Sequence, residues 1–254
     1  MASNREQNSR ETSKRLFGIE EFPLIETDPD FYNTLMRFQF GENYHRGILD
    51  EKTKELVTIT TAIATGLYHE VELHTKSAIN VGCSVEEIKE TAYQCGPYVG
   101  LAKVAYALKF VNAALNELGI SPKENSQQKV TEENRLEEGI KVQTHIFGDV
   151  IPKMRANAPN NQKHIQDALS AMCFGDFYTR GTLDLKMREL ITLIAISSLG
   201  GCENQVKAHV NANINVGNTK EMLIDAVSQC LIYIGFPRML NALACINEIV
   251  PENK

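Results

Sequence analysis

The 254-residue sequence lacks several features that would place it in common functional classes. No hydrophobic run approaches the ~18 residues that a membrane-spanning helix needs, and the N-terminal residues carry no apolar core of a signal peptide. Basic residues are not in excess, since 26 lysines and arginines stand against 32 acidic residues, giving a net charge of −6. We therefore expect a cytoplasmic protein that binds neither membranes nor nucleic acids.

Signatures of cofactor and metal sites are also missing. None of the six cysteines forms a CxxC pair, no two histidines have the H-x3-H spacing, and neither GxxxxGK[ST] nor GxGxxG occurs. The sequence therefore predicts no metal site and no cofactor. Several cysteines lie in apolar stretches, which is typical of buried free thiols in a reducing compartment.

The chain does contain an internal repeat. Residues 40–50 return as 174–184, at an offset of 134 residues. Residues 79–82, with the sequence Ile-Asn-Val-Gly, return unchanged as 214–217, at an offset of 135. One inserted residue between these segments explains the difference in offset. So many ordered matches indicate a duplicated unit.

The repeat predicts two helical units in tandem. The first spans residues 1–120 and the second 131–254, and the polar stretch 121–130, which contains a proline, is the predicted linker. Asp50 and Asp184 are candidate N-caps of helices that are hydrophobic on nearly every side, as buried central helices are. Alternating strand patterns are lacking, so we predict an all-α fold with two pseudo-symmetric repeats.

A glutamate and histidine pattern is the strongest candidate for chemistry. Glu70 and His74 are four residues apart, which places both side chains on one helix face. A carboxylate beside an imidazole suits proton transfer near neutral pH. Glu55 lies in the preceding apolar helix, where it needs a histidine or a backbone donor as partner. Glu55 and His74 recur as Glu189 and His209, which favours a functional role over a solvated surface pair.

The order of these motifs resembles the carboxymuconolactone decarboxylase family, which includes the alkylhydroperoxidase D-like proteins. Each half contains a basic residue before Glu-Leu, a buried helix, a helical histidine, Asn-x-Gly, and then glutamine followed by Tyr-x-Gly. The resemblance covers nearly the whole chain and implies an alkylhydroperoxidase D-like helical unit in two copies. Units of this family commonly form rings of six, so the resemblance also implies a homotrimer of tandem chains.

The resemblance implies a lyase or isomerase that acts on a small carboxylated, lactone-type substrate without a cofactor. In this interpretation His74 carries the proton, is oriented by Glu70 and is supported by Glu55. The conjugated lactone carbonyl takes up the electrons that CO2 leaves behind. The protein then stabilises the dienolate and delivers a proton.

Other residues are candidates for binding the substrate. Arg46 and Arg180 each precede a glycine in a loop before the central helix and could bind substrate carboxylates. A structural bond to backbone carbonyls, or to a neighbouring subunit, is the alternative for both. His69 lies close to the Glu70 motif and is a further candidate. Tyr98 and Tyr233 recur in Tyr-x-Gly and are interpreted as core residues.

The second repeat departs from the first and leaves two alternatives open. Gln205 stands at the position of Glu70, and Cys202 keeps only the first thiol of the Cys-x-x-Cys-x-x-x-His pattern of the peroxidase branch. A cysteine at a helix start, near His209, can have a lowered thiol pKa. One alternative is therefore a peroxidase or disulfide reductase that uses Cys202. The other is an oligomeric protein without catalytic activity.

Overall fold

The computed structural model describes residues 4–252, and within that range the chain is all-α, without a strand. The first repeat contributes α1 (Arg5–Phe17), α2 (Leu24–Thr27), α3 (Pro29–Gln39), α4 (Glu51–Thr65), α5 (Tyr68–Asn80), α6 (Val85–Val99) and α7 (Leu101–Glu117). The second contributes α8 (Arg135–Phe147), α9 (Val150–Asn157), α10 (Lys163–Ala168), α11 (Leu185–Leu199), α12 (Glu203–Val216), α13 (Lys220–Gln229) and α14 (Leu231–Ile249). A π-helical segment, Leu169–Tyr178, continues α10. The predicted all-α fold is confirmed.

The connection between the repeats runs through residues 118–134, which contain no helix. The predicted linker, 121–130, lies inside this stretch. No helix in the described part of the chain has both the length and the apolar character to cross a bilayer.

Two equivalent helices, α4 and α11, pack against each other at the centre of the molecule. Both begin at the predicted caps: Asp50 accepts a hydrogen bond from the Thr53 backbone N–H at 2.8 Å, and Asp184 accepts one from Met187 at 2.9 Å. Threonines on buried faces of α4, such as Thr60, bond their hydroxyls to the carbonyl four residues earlier. These buried hydroxyls are thereby satisfied within the helix itself.

The two repeats are interlocked, because helices that follow the central helix of each repeat pack on the central helix of the other. Helix α6 packs on α11, while α13 and α14 pack on α4. At the first of these contacts the buried Arg188 donates to Glu90 Oε2 at 3.0 Å and to Gln94 Oε1 at 2.9 Å. Buried side chains therefore cross from one repeat into the other.

The equivalent contact, between α13 of the second repeat and the loop before α4, requires a glycine. Asp225 of α13 accepts hydrogen bonds from the backbone N–H groups of Ile48 and Leu49, each at 2.8 Å. Gly47 has a φ of +78°, and a Cβ at this position would overlap the Asp225 carboxylate. Only glycine fits both the backbone conformation and the close approach.

Candidate active site

The His74 ring is held by a buried carboxylate from the neighbouring helix. Its Nδ1 atom lies 2.6 Å from Glu55 Oε2, and the two side chains are 2% and 0% exposed. The Tyr44 hydroxyl donates to the other Glu55 oxygen at 3.2 Å. Glu55, on α4, therefore orients the imidazole of α5. This corrects the expectation that Glu70 orients the ring.

The other ring nitrogen of His74 faces polar groups from both repeats. The Tyr233 hydroxyl, carried by α14 of the second repeat, lies 2.8 Å from His74 Nε2. The Glu70 carboxylate lies 3.7 Å from the same nitrogen and is 39% exposed. Nε2, the phenol and the Glu70 carboxylate thus form one polar cluster.

Electrostatics favour the protonated form of this histidine. Burial lowers the pKa of His74, but the charge and hydrogen bond of Glu55 outweigh burial and Glu70 adds to them, so the pKa is raised above its ordinary value. Burial, with the nearby Glu70 and Glu55 carboxylates, raises the pKa of the Tyr233 phenol well above its ordinary value. The site therefore combines an imidazolium that can give up a proton with a phenol that stays protonated.

A cavity of about 370 Å³ opens onto this polar cluster. Ten of its fourteen lining residues are aliphatic side chains or phenylalanines, most of them from α1 to α3 and the loops between them. Phe17 packs edge-on against the His74 ring at 5.5 Å and against Phe40 at 5.4 Å. A separate surface depression of about 540 Å³ along α1 is lined by polar and charged residues and includes none of the predicted site residues.

The second repeat reproduces the buried part of the site. His209 Nδ1 lies 2.7 Å from Glu189 Oε2, and the Tyr178 hydroxyl donates to the other Glu189 oxygen at 2.7 Å. Phe147 packs edge-on against His209 at 5.4 Å, as Phe17 does against His74. Both histidines are therefore oriented by the same kind of buried carboxylate and phenol pair.

The two sites differ on the outer side of the histidine ring. Tyr98 packs edge-on against His209 at 5.5 Å, but its hydroxyl pairs with the Tyr178 hydroxyl at 3.0 Å and receives the Cys173 S–H at 3.3 Å. Gln205 replaces the carboxylate of Glu70. The first repeat thus has the more complete acid–base cluster, with a tyrosine and a carboxylate at Nε2.

Neither Arg46 nor Arg180 is among the residues that line the cavity. Arg46 is 70% exposed and donates to Glu42 at 2.7 Å. Arg180 donates to Glu90 at 2.8 Å and lies over the Tyr93 ring, at the interface between the repeats. Both guanidinium groups are engaged by glutamates of the protein, so these positions do not support the expected binding of a substrate carboxylate.

His69 and Cys202 also lie apart from the cluster. His69 is exposed, packs edge-on against Phe110 at 5.8 Å, and does not line the cavity. Cys202 stands at the start of α12, about 10 Å along the helix axis before His209. Its thiol donates to the Gly200 carbonyl at 3.5 Å, and it shares a void of about 10 Å³ with Cys245. All six cysteines are free.

Sequence reasoning treated Tyr233 as a core residue and therefore missed its contact with His74. It also missed Phe17 and its counterpart Phe147. The available signal was the recurrence itself, since Tyr-x-Gly and the Phe-Gly pair after an apolar residue occur in both repeats. Recurrence could not show which ring each side chain contacts, because each tyrosine contacts the histidine of the opposite repeat.

A comparison with family models matches the carboxymuconolactone decarboxylase family twice, at residues 29–113 and 163–248. The 4-carboxymuconolactone decarboxylase of Acinetobacter baylyi is 33% identical over 99 residues, which are 39% of this chain and 74% of that protein. The nitrosuccinic acid decarboxylase of Metarhizium robertsii is 27% identical over 125 residues, covering 47% of this chain and 86% of that protein.

Among solved structures, a Burkholderia xenovorans protein proposed to be a gamma-carboxymuconolactone decarboxylase subunit matches with a TM-score of 0.56. The match covers 93% of this chain and 94% of that one at 20% identity, and it shows a likeness of fold. The double family match agrees with the two repeats found in the sequence.

Proposed function

The chain belongs to the carboxymuconolactone decarboxylase family, and from this membership we propose that it is a carboxy-lyase whose proton carrier is His74. One observation carries the proposal: His74 Nε2 faces the cavity beside Tyr233 and Glu70, while Nδ1 is held by the buried Glu55. An imidazole whose Nδ1 is fixed by a carboxylate can deliver the proton of its Nε2 with little reorganisation.

In the proposed reaction the bond between the carboxylate and its carbon breaks, and CO2 leaves. The electron pair moves into a carbonyl group conjugated with that carbon in the substrate, which becomes a dienolate. His74 then gives its Nε2 proton to the carbon, and solvent returns a proton to the ring. The Glu55 carboxylate stabilises the imidazolium before transfer and keeps the ring in place afterwards.

Tyr233→Phe is expected to lower the turnover number by about 10- to 100-fold, because the phenol is a hydrogen-bond partner of a charged ring. Turnover is followed as CO2 release from a panel of carboxylated lactones and unsaturated keto acids. The matched control is Tyr98→Phe, which removes a hydroxyl bonded to Tyr178 instead of His209. Equal losses in the two variants would contradict a positioning role for Tyr233 at His74.

The turnover number is expected to fall as pH rises through the raised pKa of His74, because only the imidazolium can donate. The basic limb of the pH profile therefore lies above the ordinary histidine value of about 6.5. Glu70 raises the pKa of His74, so Glu70→Gln moves this limb to lower pH. Kinetics and NMR titration of the ring should give the same shift. A limb that stays in place in Glu70→Gln would show that another group titrates.

The remaining expectations stay predictions. The homotrimer rests on the family resemblance, and so does the lactone-type substrate. The peroxidase alternative requires Cys202 to act without a second thiol on its own helix, where Gln205 replaces that cysteine.

A further inference from the structure

We infer that the substrate of the His74 site has an apolar body and no more than one carboxylate, in contrast to the polycarboxylated lactone that the family name suggests. The inference rests on the proposed function, since it takes the 370 Å³ cavity as the place where substrate binds. It follows from two properties of the lining: what the walls are made of, and where the charges lie.

The walls are apolar from the histidine to the surface. Four phenylalanines line the cavity, with Leu35 and Met36 of α3 between them. Phe17 and Phe22 pack edge-on at 5.3 Å, so the wall beside His74 is built before any ligand enters. Towards solvent the lining includes Phe31, which is 66% exposed. Displacing water from such a surface favours an aromatic or aliphatic substrate body.

The polar lining is confined to one cluster and one further phenol. His74, Glu70 and Tyr233 form the cluster. The only other polar side chain among the described lining residues, Tyr32, accepts a hydrogen bond from the Phe22 backbone N–H at 3.0 Å. One polar group of a ligand is therefore accommodated at the cluster, and the rest of its surface meets carbon.

Charge sets the limit of one carboxylate. The lining contains no lysine or arginine among the residues that the structure describes, and Arg46 and Arg180 are paired with glutamates elsewhere. His74 is the one side chain of the described lining that can carry a positive charge, and the neighbouring Glu70 adds a negative charge at its Nε2 atom. A lone substrate carboxylate can bind beside the imidazolium. A second one would be buried without a counterion, which is strongly unfavourable.

Size agrees with a compact ligand. A volume of about 370 Å³ lies at the lower end of the range for small-molecule pockets. It equals the liquid volume of roughly twelve water molecules. A substituted six-membered ring with a short side chain fits such a space.

Two probes that differ in one carboxylate test the inference on the full-length chain. We expect 3-phenylpropanoate to bind at least tenfold more tightly than 4-(2-carboxyethyl)benzoate, measured by isothermal titration calorimetry at constant ionic strength. The body of the two molecules is the same, so the difference reports the second carboxylate. Equal affinity, tighter binding of the dianion, or no binding of either probe would overturn the inference.

Variants of cavity residues test whether the difference in affinity between the two probes arises in the cavity. Leu35→Arg supplies the missing cation and should strengthen binding of the dianion about tenfold. The matched control is Leu169→Arg, at the equivalent position of the second repeat, which should leave both affinities unchanged. Glu70→Gln should improve binding of the dianion more than of the monoanion, without adding a bulky side chain. Identical behaviour of Leu35→Arg and Leu169→Arg, combined with no effect of Glu70→Gln, would place the binding elsewhere and refute the inference.

Binding and turnover can fail separately. Preference for the monoanion without CO2 release from any carboxylated substrate would reject the lyase and keep the apolar, singly charged ligand. CO2 release combined with preference for the dianion would keep the lyase and reject this substrate class.

Discussion

His74→Gln lowers turnover by roughly 10²–10⁴-fold, the usual contribution of a positioned acid or base, if His74 is the proton carrier. Glutamine keeps a polar side chain of similar length but cannot transfer a proton. His209→Gln, the same change in the second repeat, should alter turnover less than threefold. That histidine lacks both the tyrosine hydrogen bond and the adjacent carboxylate found at His74. Turnover is read as CO2 release, with deuterium incorporation from D2O at the carbon that loses its carboxylate.

Other outcomes of this comparison separate the competing interpretations. Cys202→Ser should be nearly silent for a lyase, because its thiol lies two helical turns from His209. Peroxide reduction that is abolished in Cys202→Ser and weakened in His209→Gln would instead support the peroxidase. An unchanged rate in both histidine variants would reject both enzymatic functions and leave the oligomeric protein without catalytic activity.

Arg188→Met lowers the free energy of unfolding by about 3–5 kcal/mol, because it breaks a buried ion pair while keeping most of the side-chain volume. Arg188 and Glu90 are both 0% exposed, and the same guanidinium also donates to Gln94 and to the carbonyls of Arg180 and Gly181. Removing it leaves Arg180 as the remaining charged partner of Glu90 among residues 4–252. Urea denaturation of the full chain, followed by circular dichroism, measures the loss.

The matched control is Lys54→Met, at the position in α4 equivalent to Arg188 in α11. Lys54 donates to the carbonyls of Tyr44 and Arg46 at 2.6 and 3.0 Å, so its removal leaves neutral acceptors unpaired. The expected loss is about 1–2 kcal/mol. Asp225, the acid equivalent to Glu90, keeps its backbone donors in this variant. Losses of equal size would show that the Arg188–Glu90 charge pair contributes nothing beyond its hydrogen bonds.

Local patterns in the sequence were enough to predict the fold. The all-α class, the N-caps at Asp50 and Asp184 and the duplication follow from helix periodicity, capping chemistry and a constant offset, all of which are short-range or countable. The recurrence of Glu55 and His74 also pointed to the two residues that lie 2.6 Å apart. A buried glutamate in an apolar helix requires a partner, and the sequence offered few.

Contacts between the repeats could not be predicted from the same patterns. Tyr233 and His74 are 159 positions apart, and helical spacing says nothing about packing over that distance. Glu70 looked like the orienting carboxylate because it is near His74 in sequence, but tertiary packing brings Glu55 closer. Arg180 and Arg46 share a sequence context, yet only Arg180 contacts the acid of the opposite repeat. The Glu90 carboxylate accepts a hydrogen bond from Arg180. The Asp225 side chain is one methylene shorter, and its carboxylate accepts hydrogen bonds from backbone N–H groups instead.

Tyr98 and Tyr233 each contact the histidine of the opposite repeat, and this arrangement has a consequence for how the protein can evolve. In a symmetric dimer of single units, every mutation is inherited by both sites, so neither can change alone. A fused gene removes that restriction. The two repeats already differ at one such position, where the first has Glu70 and the second has Gln205. The two halves nevertheless remain dependent on each other, because a mutation of Tyr233 in the second half changes the surroundings of His74 in the first. Selection on the surroundings of one histidine therefore constrains both halves of the gene, because deletion of either half removes a tyrosine that contacts the histidine of the other.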